Sequence, residues 1–235
     1  MIIANDLTLK IAGNTILDKV SFSINRGDYV GLIGPNGAGK TMLIKVILNF
    51  YKPTTGTISI SDDVKIGYVP QNYKLSQVVP ISVQEVLSMS GMDKKNGLLK
   101  NLEKVGLAKS FLDKNFHKLS GGQKQRVIIA RALCQQPNFL IFDEPFNGLD
   151  IGAKNKIYKL LADLNKNHKL TILLVSHEIE QAVAECNYVL CLNKTMHSGC
   201  HPIDFVHGNH NTCSISSVKK TTVPIHHHHN NKLVP

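Results

Sequence analysis

The spacing of apolar residues in the N-terminal part of the chain predicts short strands followed by a helix. Residues 2 to 11 and 20 to 24 alternate apolar and polar side chains, as half-buried strands do, and residues 12 to 14 form a turn between them. Residues 29 to 33 (YVGLI) are an unbroken apolar run, which predicts a buried strand. Residues 42 to 50 contain no Gly or Pro and predict an apolar helix. The chain therefore begins with an antiparallel β flap, a buried strand and a helix.

The middle of the chain changes to helical patterning. A turn and two short strands come first, at residues 52 to 56, 57 to 61 and 65 to 69. Residues 73 to 118 then show helical periodicity broken by glycines, and Ser82 with Glu85 has the spacing of a capping box. We therefore expect residues 73–118 to form a small inserted helical subdomain.

The remaining part of the chain again alternates helices and strands. Helices are predicted at residues 123 to 134, 153 to 167 and 179 to 186, and strands at residues 138 to 142, 170 to 175 and 188 to 192. This alternation favours an α/β fold whose mainly parallel sheet binds ligands at the carboxyl ends of its strands. We expect one core domain from residues 1–72 and 119–200, and a mobile, His-rich tail at residues 201–235.

The loop between the first buried strand and its helix carries the clearest chemistry. It matches the phosphate-binding pattern GxxxxGK[ST], with the residues Gly34, Pro35, Asn36, Gly37, Ala38, Gly39, Lys40 and Thr41. Glycines let backbone N–H groups approach phosphates, and the helix N-terminus favours an anion. Lys40 supplies a positive charge for the outer phosphates, and the Thr41 hydroxyl is suited to Mg²⁺. These features predict a site for a nucleoside triphosphate with Mg²⁺ in a P-loop NTPase core.

Polar residues follow two of the other predicted strands. Asp143 and Glu144 end the apolar run FLIFDEP, so Asp143 is placed to hold Mg²⁺ and Glu144 to accept a proton from an attacking water. His177 follows the strand at residues 170 to 175, which places it at the same edge of the sheet. A contact between His177 and the γ-phosphate is the favoured interpretation.

A second anion site is predicted at the segment LSGGQ. It comprises Leu119, Ser120, Gly121, Gly122 and Gln123. Ser120 is suited to cap the following helix, and the two glycines leave backbone N–H groups accessible at its positive end. Because one nucleotide needs one phosphate cradle, we expect LSGGQ to serve a nucleotide held by a second copy of the chain.

Composition restricts the function further. The chain has 235 residues, room for one large α/β domain, and it contains no apolar run of about 18 residues or more that would predict a membrane span. The N-terminus lacks the features of a secretory signal, so we expect a cytoplasmic protein. Its 27 Lys and Arg outnumber 17 Asp and Glu, but they are scattered, which favours a surface near acidic lipid over a nucleic-acid groove. The five cysteines form no CxxC pair and are expected to be free thiols.

Taken together, these motifs resemble the ATP-binding cassette (ABC) family, the ATPase subunits of ABC transporters, over residues 1 to 200. The loop at 34–41 resembles Walker A, FLIFDEP resembles Walker B, and LSGGQ resembles the family signature. Gln71 matches the Q-loop glutamine, Gly148-Leu149-Asp150 the D-loop, and His177 the switch histidine.

This resemblance implies a head-to-tail homodimer with ATP between Walker A of one subunit and LSGGQ of the other. Glu144 would be the general base, His177 would contact the γ-phosphate, and Asp150 would lie in the D-loop. Gln71 would help to hold Mg²⁺ and couple the site to an integral-membrane permease, with the helical subdomain as the usual docking surface. The subunit would then lie on the inner face of the cell membrane.

Two positions depart from the family pattern. The family usually stacks adenine on an aromatic residue, and Ile11 occupies the corresponding position, so an apolar contact with the base is expected there. Phe146 replaces a small Thr or Ser, and the sequence alone predicts no consequence.

The C-terminal part gives information about cargo. Residues 189 to 193 (VLCLN) and the segment His197-Ser198-Gly199 resemble the zinc-uptake branch of the family, to which the manganese and iron branch is close. This favours a zinc importer that receives its ion indirectly from a periplasmic or surface receptor. The histidines His226, His227, His228 and His229 suit weak transition-metal binding, whereas the alternative is an inert tail or a remnant of a purification tag.

Other interpretations remain open at this stage. The cargo of such a subunit is alternatively manganese or iron, an organic solute, a lipid or a drug. A soluble ABC-type ATPase acting on nucleic acid is disfavoured, because those proteins usually join two cassettes or carry long inserts. A metal-storage protein that uses the tail is a further alternative.

Overall fold

The computed structural model describes residues 1–71, 73, 80–91, 95–176 and 185–200. His177, most of the predicted helix at residues 179 to 186, and the tail with His226–His229 lie outside the described residues.

Nine strands and five helices make up this described part of the chain. The strands are β1 (Ile2–Ile11), β2 (Asn14–Ile24), β3 (Tyr29–Ile33), β4 (Thr55–Ile60), β5 (Ile66–Val69), β6 (Phe139–Asp143), β7 (Thr171–Val175), β8 (Tyr188–Asn193) and β9 (Thr195–Cys200). The helices are α1 (Lys40–Ile47), α2 (Val83–Ser88), α3 (Lys95–Lys104), α4 (Gly121–Cys134) and α5 (Ile151–Lys166), with 3₁₀ turns at Lys109–Phe111 and Phe116–Lys118.

The larger sheet has the strand order β5-β6-β7-β3-β8-β9. Its strands are parallel except for the antiparallel pair β8–β9. All residues of β3, β6 and β7 are buried, which explains their unbroken apolar runs. The carboxyl ends of these three strands lie at one edge of the sheet, where ligands bind in such folds.

A smaller antiparallel sheet, ordered β2-β1-β4, forms the predicted N-terminal flap. Leu7 and Leu17 of this flap share one apolar cluster with Val30 and Leu32 of β3. The predicted α/β class, with a mainly parallel sheet and an antiparallel flap, is therefore confirmed.

Several predicted boundaries were wrong. Strand β2 starts at Asn14, earlier than the predicted residue 20, because residues 14 and 15 pair with the end of β1 across a tight hairpin. Strand β9 was not predicted, since its sequence TMHSGC lacks apolar alternation and pairing with β8 forms it instead. Helix α1 begins at Lys40 and ends at Ile47, compared with the predicted 42 to 50.

The helical region between β5 and α4 packs on the core of the larger sheet. Val86 of α2 and Leu102 of α3 belong to the same buried cluster as Leu140 of β6 and Ile172 of β7. The capping box predicted for α2 is present, since the Ser82 hydroxyl accepts from the Glu85 N–H and the Glu85 carboxylate accepts from the Ser82 N–H. The division of the chain into a core and an inserted subdomain remains a prediction.

Candidate nucleotide-binding site

A cleft of about 1230 Å³ lies at the carboxyl end of β3. Its lining comprises Ile16, residues 33 to 42, Gln71, Glu144, Asn147, residues 191 to 193 and Thr195. The structure therefore brings the whole predicted phosphate loop together with Gln71 and Glu144.

Two glycines of the phosphate loop are required for different reasons. At Gly34, a Cβ would lie 2.0 Å from the carbonyl oxygen of Leu192, so the loop and β8 approach each other closely there. At Gly37, nothing lies within 4 Å of a Cβ, but φ is +81°. This left-handed conformation is costly for other residues.

Lys40 is directed into the loop that precedes it. Its side chain is buried, and Nζ donates hydrogen bonds to the carbonyl oxygens of Gly34 (2.8 Å) and Pro35 (3.0 Å). Helix α1 starts at this residue and has no acidic side chain in its first turn. The ammonium group and the positive end of the helix thus favour an anion inside the loop.

Asp143 is buried at the end of β6 and is not among the residues that line the cleft. The Tyr68 hydroxyl donates a 3.2 Å hydrogen bond to Oδ2 of Asp143. Burial raises the pKa of the Asp143 carboxyl, although the bond from Tyr68 and the charge of Lys40 act in the opposite direction. The ionised carboxylate is therefore poorly solvated, and a nearby cation would stabilise it.

Glu144 is held at the cleft by its backbone and by two amides. Its φ of +48° is left-handed, and its N–H donates to the carbonyl oxygen of Val175 at 3.1 Å. Oε2 of Glu144 accepts hydrogen bonds from Nε2 of Gln71 (2.7 Å) and Nδ2 of Asn147 (3.0 Å). A strained backbone at an oriented carboxylate is common at active sites.

Asn147 was not predicted from the sequence. It lies three positions after Glu144 in a segment without periodicity, and its contact with Glu144 is set by the path of the chain after Pro145. The signal available in the sequence was an amide side chain three positions after Glu144, the second of the two adjacent acids.

The donors around the loop fit Mg²⁺. Thr41 offers an exposed hydroxyl at the start of α1, and Asp143 offers the buried carboxylate whose raised pKa reports missing solvation. Hard oxygen ligands of this kind suit Mg²⁺. By contrast, no group of three or more His, Cys, Asp or Glu side chains suited to a metal occurs in the described parts of the chain.

The residue predicted to contact the base lies outside the cleft. Ile11 pairs with Asn14 at the β1–β2 hairpin and packs against the apolar cluster of the flap. Ile16, which follows that hairpin on β2, lines the cleft instead. The alternation of strand β2 places Ile16 at the cleft while its neighbour Leu17 is fully buried.

LSGGQ is located at the start of α4 and does not contribute to the lining of the cleft described above. Ser120 caps α4, because its hydroxyl accepts from the N–H of Gln123 while the Gln123 side chain accepts from the Ser120 N–H. Leu119 is buried in the core. The segment is therefore a capped helix start that lies outside the cleft, and its anion-binding role remains a prediction.

The start of α4 packs against the start of α5. A Cβ on Gly121 would lie 3.0 Å from Cδ2 of Leu149, and one on Gly122 would lie 2.9 Å from Cβ of Ala153. Asp150 caps α5, since Oδ1 accepts a 2.8 Å hydrogen bond from the N–H of Ala153. LSGGQ and the segment at 148–150 are thus neighbours within one subunit.

Phe146 connects the residues after Glu144 to α5. Its ring is buried and stacks on Tyr158 with a centroid distance of 4.1 Å and an interplanar angle of 24°. Phe146, which stands where the family usually has Thr or Ser, therefore anchors the segment between Glu144 and Asp150 to α5 through this stack.

A mainly parallel sheet with a phosphate loop after β3 and a carboxylate pair after β6 defines a P-loop nucleoside triphosphatase. Comparison with known proteins identifies the family: the ABC transporter model matches residues 17–147, and the chain belongs to this family. ATP is the nucleotide of this family, and the chain is an ABC-type ATPase. Among the described residues, no helix combines the length and apolar character needed to cross a bilayer.

The chain is similar over most of its length to named relatives. It is 38% identical over 194 residues to the zinc import ATP-binding protein ZnuC of Buchnera aphidicola, covering 83% of this chain and 81% of that protein. It is 41% identical over 177 residues to ZnuC 1 of Aliivibrio fischeri, covering 75% and 69%.

Solved structures agree with this assignment. CbiO1 of Clostridium perfringens, part of an ABC transporter complex, has 27% identity and a TM-score of 0.78, with coverage of 88% of this chain and 90% of that one. The dimeric bacterial ABC transporter cassette MJ0796 has 28% identity and a TM-score of 0.67, with coverage of 83% and 96%.

Proposed function

We propose that this protein is the ATP-hydrolysing subunit of a membrane transporter that imports zinc. The observation that carries the proposal is the cleft itself, where Gln71 and Glu144 meet the phosphate loop. The cargo follows from relatives named as zinc import ATP-binding proteins, which are 38% and 41% identical to this chain.

The site residues have distinct roles in this proposal. The phosphate loop and Lys40 bind the triphosphate through N–H groups and positive charge. Glu144 accepts a proton from the attacking water, and the amides of Gln71 and Asn147 orient its carboxylate. Thr41, Asp143 and Gln71 would hold Mg²⁺, which neutralises phosphate charge when bound. His177 would contact the γ-phosphate.

Two subunits would assemble head to tail. Since LSGGQ is separate from its own cleft, it is available to the phosphates of a nucleotide bound by the other subunit. Asp150 would lie beside the same interface. The dimeric cassette MJ0796 supports this arrangement by similarity.

A groove near the cleft is a suitable docking site for the permease. It has a volume of about 310 Å³ and is lined by Ile66, Tyr68, Pro70, Tyr73, Ser90, Arg131, Ala132 and Gln135. The guanidinium of Arg131 lies 4.8 Å from the centre of the Tyr73 ring, and half-exposed Met89 contacts the Tyr73 hydroxyl. A partner helix in this groove would touch residues on both sides of Gln71. The subunit would then be cytoplasmic, at the inner face of the membrane, with the receptor on the opposite side.

The test is ⁶⁵Zn²⁺ uptake into liposomes that contain the permease, with this subunit and ATP enclosed inside and the metal-binding receptor added outside. Glu144→Gln should abolish uptake, because it removes the proton acceptor while keeping the shape of the side chain. Asp62→Asn, an exposed position between β4 and β5, is the matched carboxylate-to-amide control and should retain uptake. Zinc uptake that persists in Glu144→Gln would refute the mechanism, and transport of Mn²⁺ or Fe²⁺ with no zinc transport would refute the cargo.

A further inference from the structure

Tyr68 reaches Asp143 from the outermost strand of the larger sheet. Strand β5 lies at one end of the strand order, beside β6 and parallel to it. Tyr68 stands next to Ile141 in this register, and Asp143 follows two positions later on the same face of β6. The phenol spans this offset, because its hydroxyl donates a 3.2 Å hydrogen bond to Oδ2 of Asp143.

Packing restricts the ring of Tyr68. The half-buried side chain packs, together with Ile66, against the apolar cluster that contains Phe139 and Ile141. It also lines the groove proposed above as the docking site for the permease. The hydroxyl is therefore held at the Asp143 carboxylate by the surroundings of the ring.

The Asp143 carboxylate depends on this donor because it is buried. Only 4% of the residue is exposed. Among the described residues, no other side chain donates a hydrogen bond to this carboxylate. A buried carboxylate without hydrogen bonds or a nearby cation is costly. One donor thus determines how the carboxylate is turned.

We propose that Tyr68 is a positioning residue for the Mg²⁺-binding carboxylate of Asp143, an inference that rests on the metal ligands proposed above. The hydroxyl engages Oδ2 and leaves Oδ1 to interact with Mg²⁺ or with one of its water ligands. Partners that orient a metal-binding group typically contribute about tenfold to a hundredfold to metal affinity or activity. Tyr68 acts through Asp143, since it is not among the described residues that line the cleft.

Metal binding by the full-length protein tests the inference. Mn²⁺ serves as a paramagnetic substitute for Mg²⁺, and AMP-PNP serves as a nucleotide that is not hydrolysed. With the protein in excess over AMP-PNP, the electron paramagnetic resonance signal of free Mn²⁺ gives the dissociation constant of the metal. Tyr68→Phe keeps the ring and removes the hydroxyl, so it should raise this constant about tenfold. The affinity for AMP-PNP in EDTA should stay within about twofold of the wild type, because the phosphate loop is unchanged.

Tyr188→Phe is the matched control. The Tyr188 hydroxyl donates to the carbonyl oxygen of Ser23 (2.7 Å) and lies 3.3 Å from Oδ2 of Asp28. Because Tyr188 begins β8 and Asp28 precedes β3, this hydroxyl lies at the edge of the sheet opposite the cleft. The control should leave the Mn²⁺ affinity unchanged. Thermal unfolding of both variants checks that they are folded.

The Mg²⁺ dependence of ATP hydrolysis provides a second measurement. Tyr68→Phe should need about tenfold more free Mg²⁺ for half-maximal hydrolysis, whereas kcat at saturating Mg²⁺ should stay within about threefold of the wild type. A purely structural role of Tyr68 would lower kcat at every Mg²⁺ concentration and would leave the Mg²⁺ requirement unchanged.

Two results would overturn the inference: Mn²⁺ dissociation constants of wild type and Tyr68→Phe that agree within about twofold, or an equal rise in Tyr188→Phe. Asp143→Asn separates this inference from the proposed function. If Asp143→Asn weakens Mn²⁺ binding and Tyr68→Phe does not, only the positioning role of Tyr68 fails. If Asp143→Asn binds Mn²⁺ as tightly as the wild type, Asp143 is not a metal ligand, and the inference fails together with that assignment.

Discussion

The Gln71 amide and the Glu144 carboxylate are joined by a 2.7 Å hydrogen bond between Nε2 and Oε2, which connects the chain after β5 to the chain after β6. Asn147 donates to the same oxygen at 3.0 Å. Because both amides donate to the same oxygen, removal of one amide leaves the other to orient the Glu144 carboxylate. The Glu144 carboxylate, which we propose as the general base, thus accepts from donors in different parts of the sequence.

This shared acceptor predicts strong coupling between Gln71 and Asn147. Gln71→Ala and Asn147→Ala should each lower kcat for ATP about fivefold, whereas the double variant should lose about a hundredfold, more than the product of the two. KM for ATP should change by less than about threefold in Asn147→Ala, whose amide is proposed only to orient the carboxylate, and should rise further in Gln71→Ala, because Gln71 is also proposed to help hold Mg²⁺. Steady-state phosphate release measures all four proteins. Effects that simply multiply would contradict redundant orientation.

The capping boxes of α2 and α4 provide a matched pair of substitutions. Ser82→Ala in α2 and Ser120→Ala in α4 should each lower the free energy of unfolding by about 1 kcal/mol. Only Ser120→Ala should also impair ATP hydrolysis, because only α4 is proposed to meet the nucleotide of a second subunit. Urea unfolding and ATPase assays at several protein concentrations separate the two effects. Equal loss of activity in both variants would argue against a role of LSGGQ in the dimer.

The loop glycines should differ in their tolerance of a methyl group. In Gly34→Ala the new Cβ meets a backbone oxygen of β8, so we expect a loss of about 3 kcal/mol in stability together with loss of nucleotide binding. In Gly37→Ala there is open space and the cost is confined to the left-handed backbone, about 1 kcal/mol. Chemical denaturation ranks the two variants. A larger loss for Gly37→Ala would show that the contact with Leu192 is not maintained in solution.

Tyr68 gives the stability a specific dependence on alkaline pH. Burial, together with the charge and hydrogen bonding of Asp143, raises the pKa of the Tyr68 phenol to about 12 from its usual value of 10.0. Between these values the unfolded state has lost a proton that the folded state keeps, so stability falls as pH rises. The stability advantage of wild type over Tyr68→Phe should therefore shrink between about pH 10 and pH 12. Denaturant titrations across this range measure the difference, and a constant difference would mean that the phenol is not perturbed.

Local patterns in the sequence were sufficient for the centre of the fold. Strands β3, β6 and β7 are buried on both faces, so their apolar runs identify them without knowledge of their neighbours. The phosphate loop and the Ser82 and Ser120 caps are also local, since each depends on residues within a few positions.

Features that depend on distant pairing were missed. The sequence of β9 has little strand character, and the strand exists because β8 provides a hydrogen-bonding edge. Ile11 ended the first predicted strand, whereas Ile16 lay outside both predicted strands, so no pattern in the sequence indicated that Ile16 reaches the cleft. The hairpin at Asn14 and the Asp18–Lys194 hydrogen bond decide in favour of Ile16. Asn147 was likewise missed, because its hydrogen bond to Glu144 depends on the path of the backbone after Pro145.

The start of α4 packs closely on the start of α5, because a Cβ on Gly121 or Gly122 would crowd Leu149 or Ala153. In the proposed dimer, a tilt of α4 against the second subunit would therefore be passed to the start of α5. The Phe146–Tyr158 stack would pass it on to the segment that follows Glu144. If two subunits pair head to tail as proposed, each would thereby convert occupancy of its neighbour's pocket into a displacement within its own pocket, which would link the turnover of the two sites.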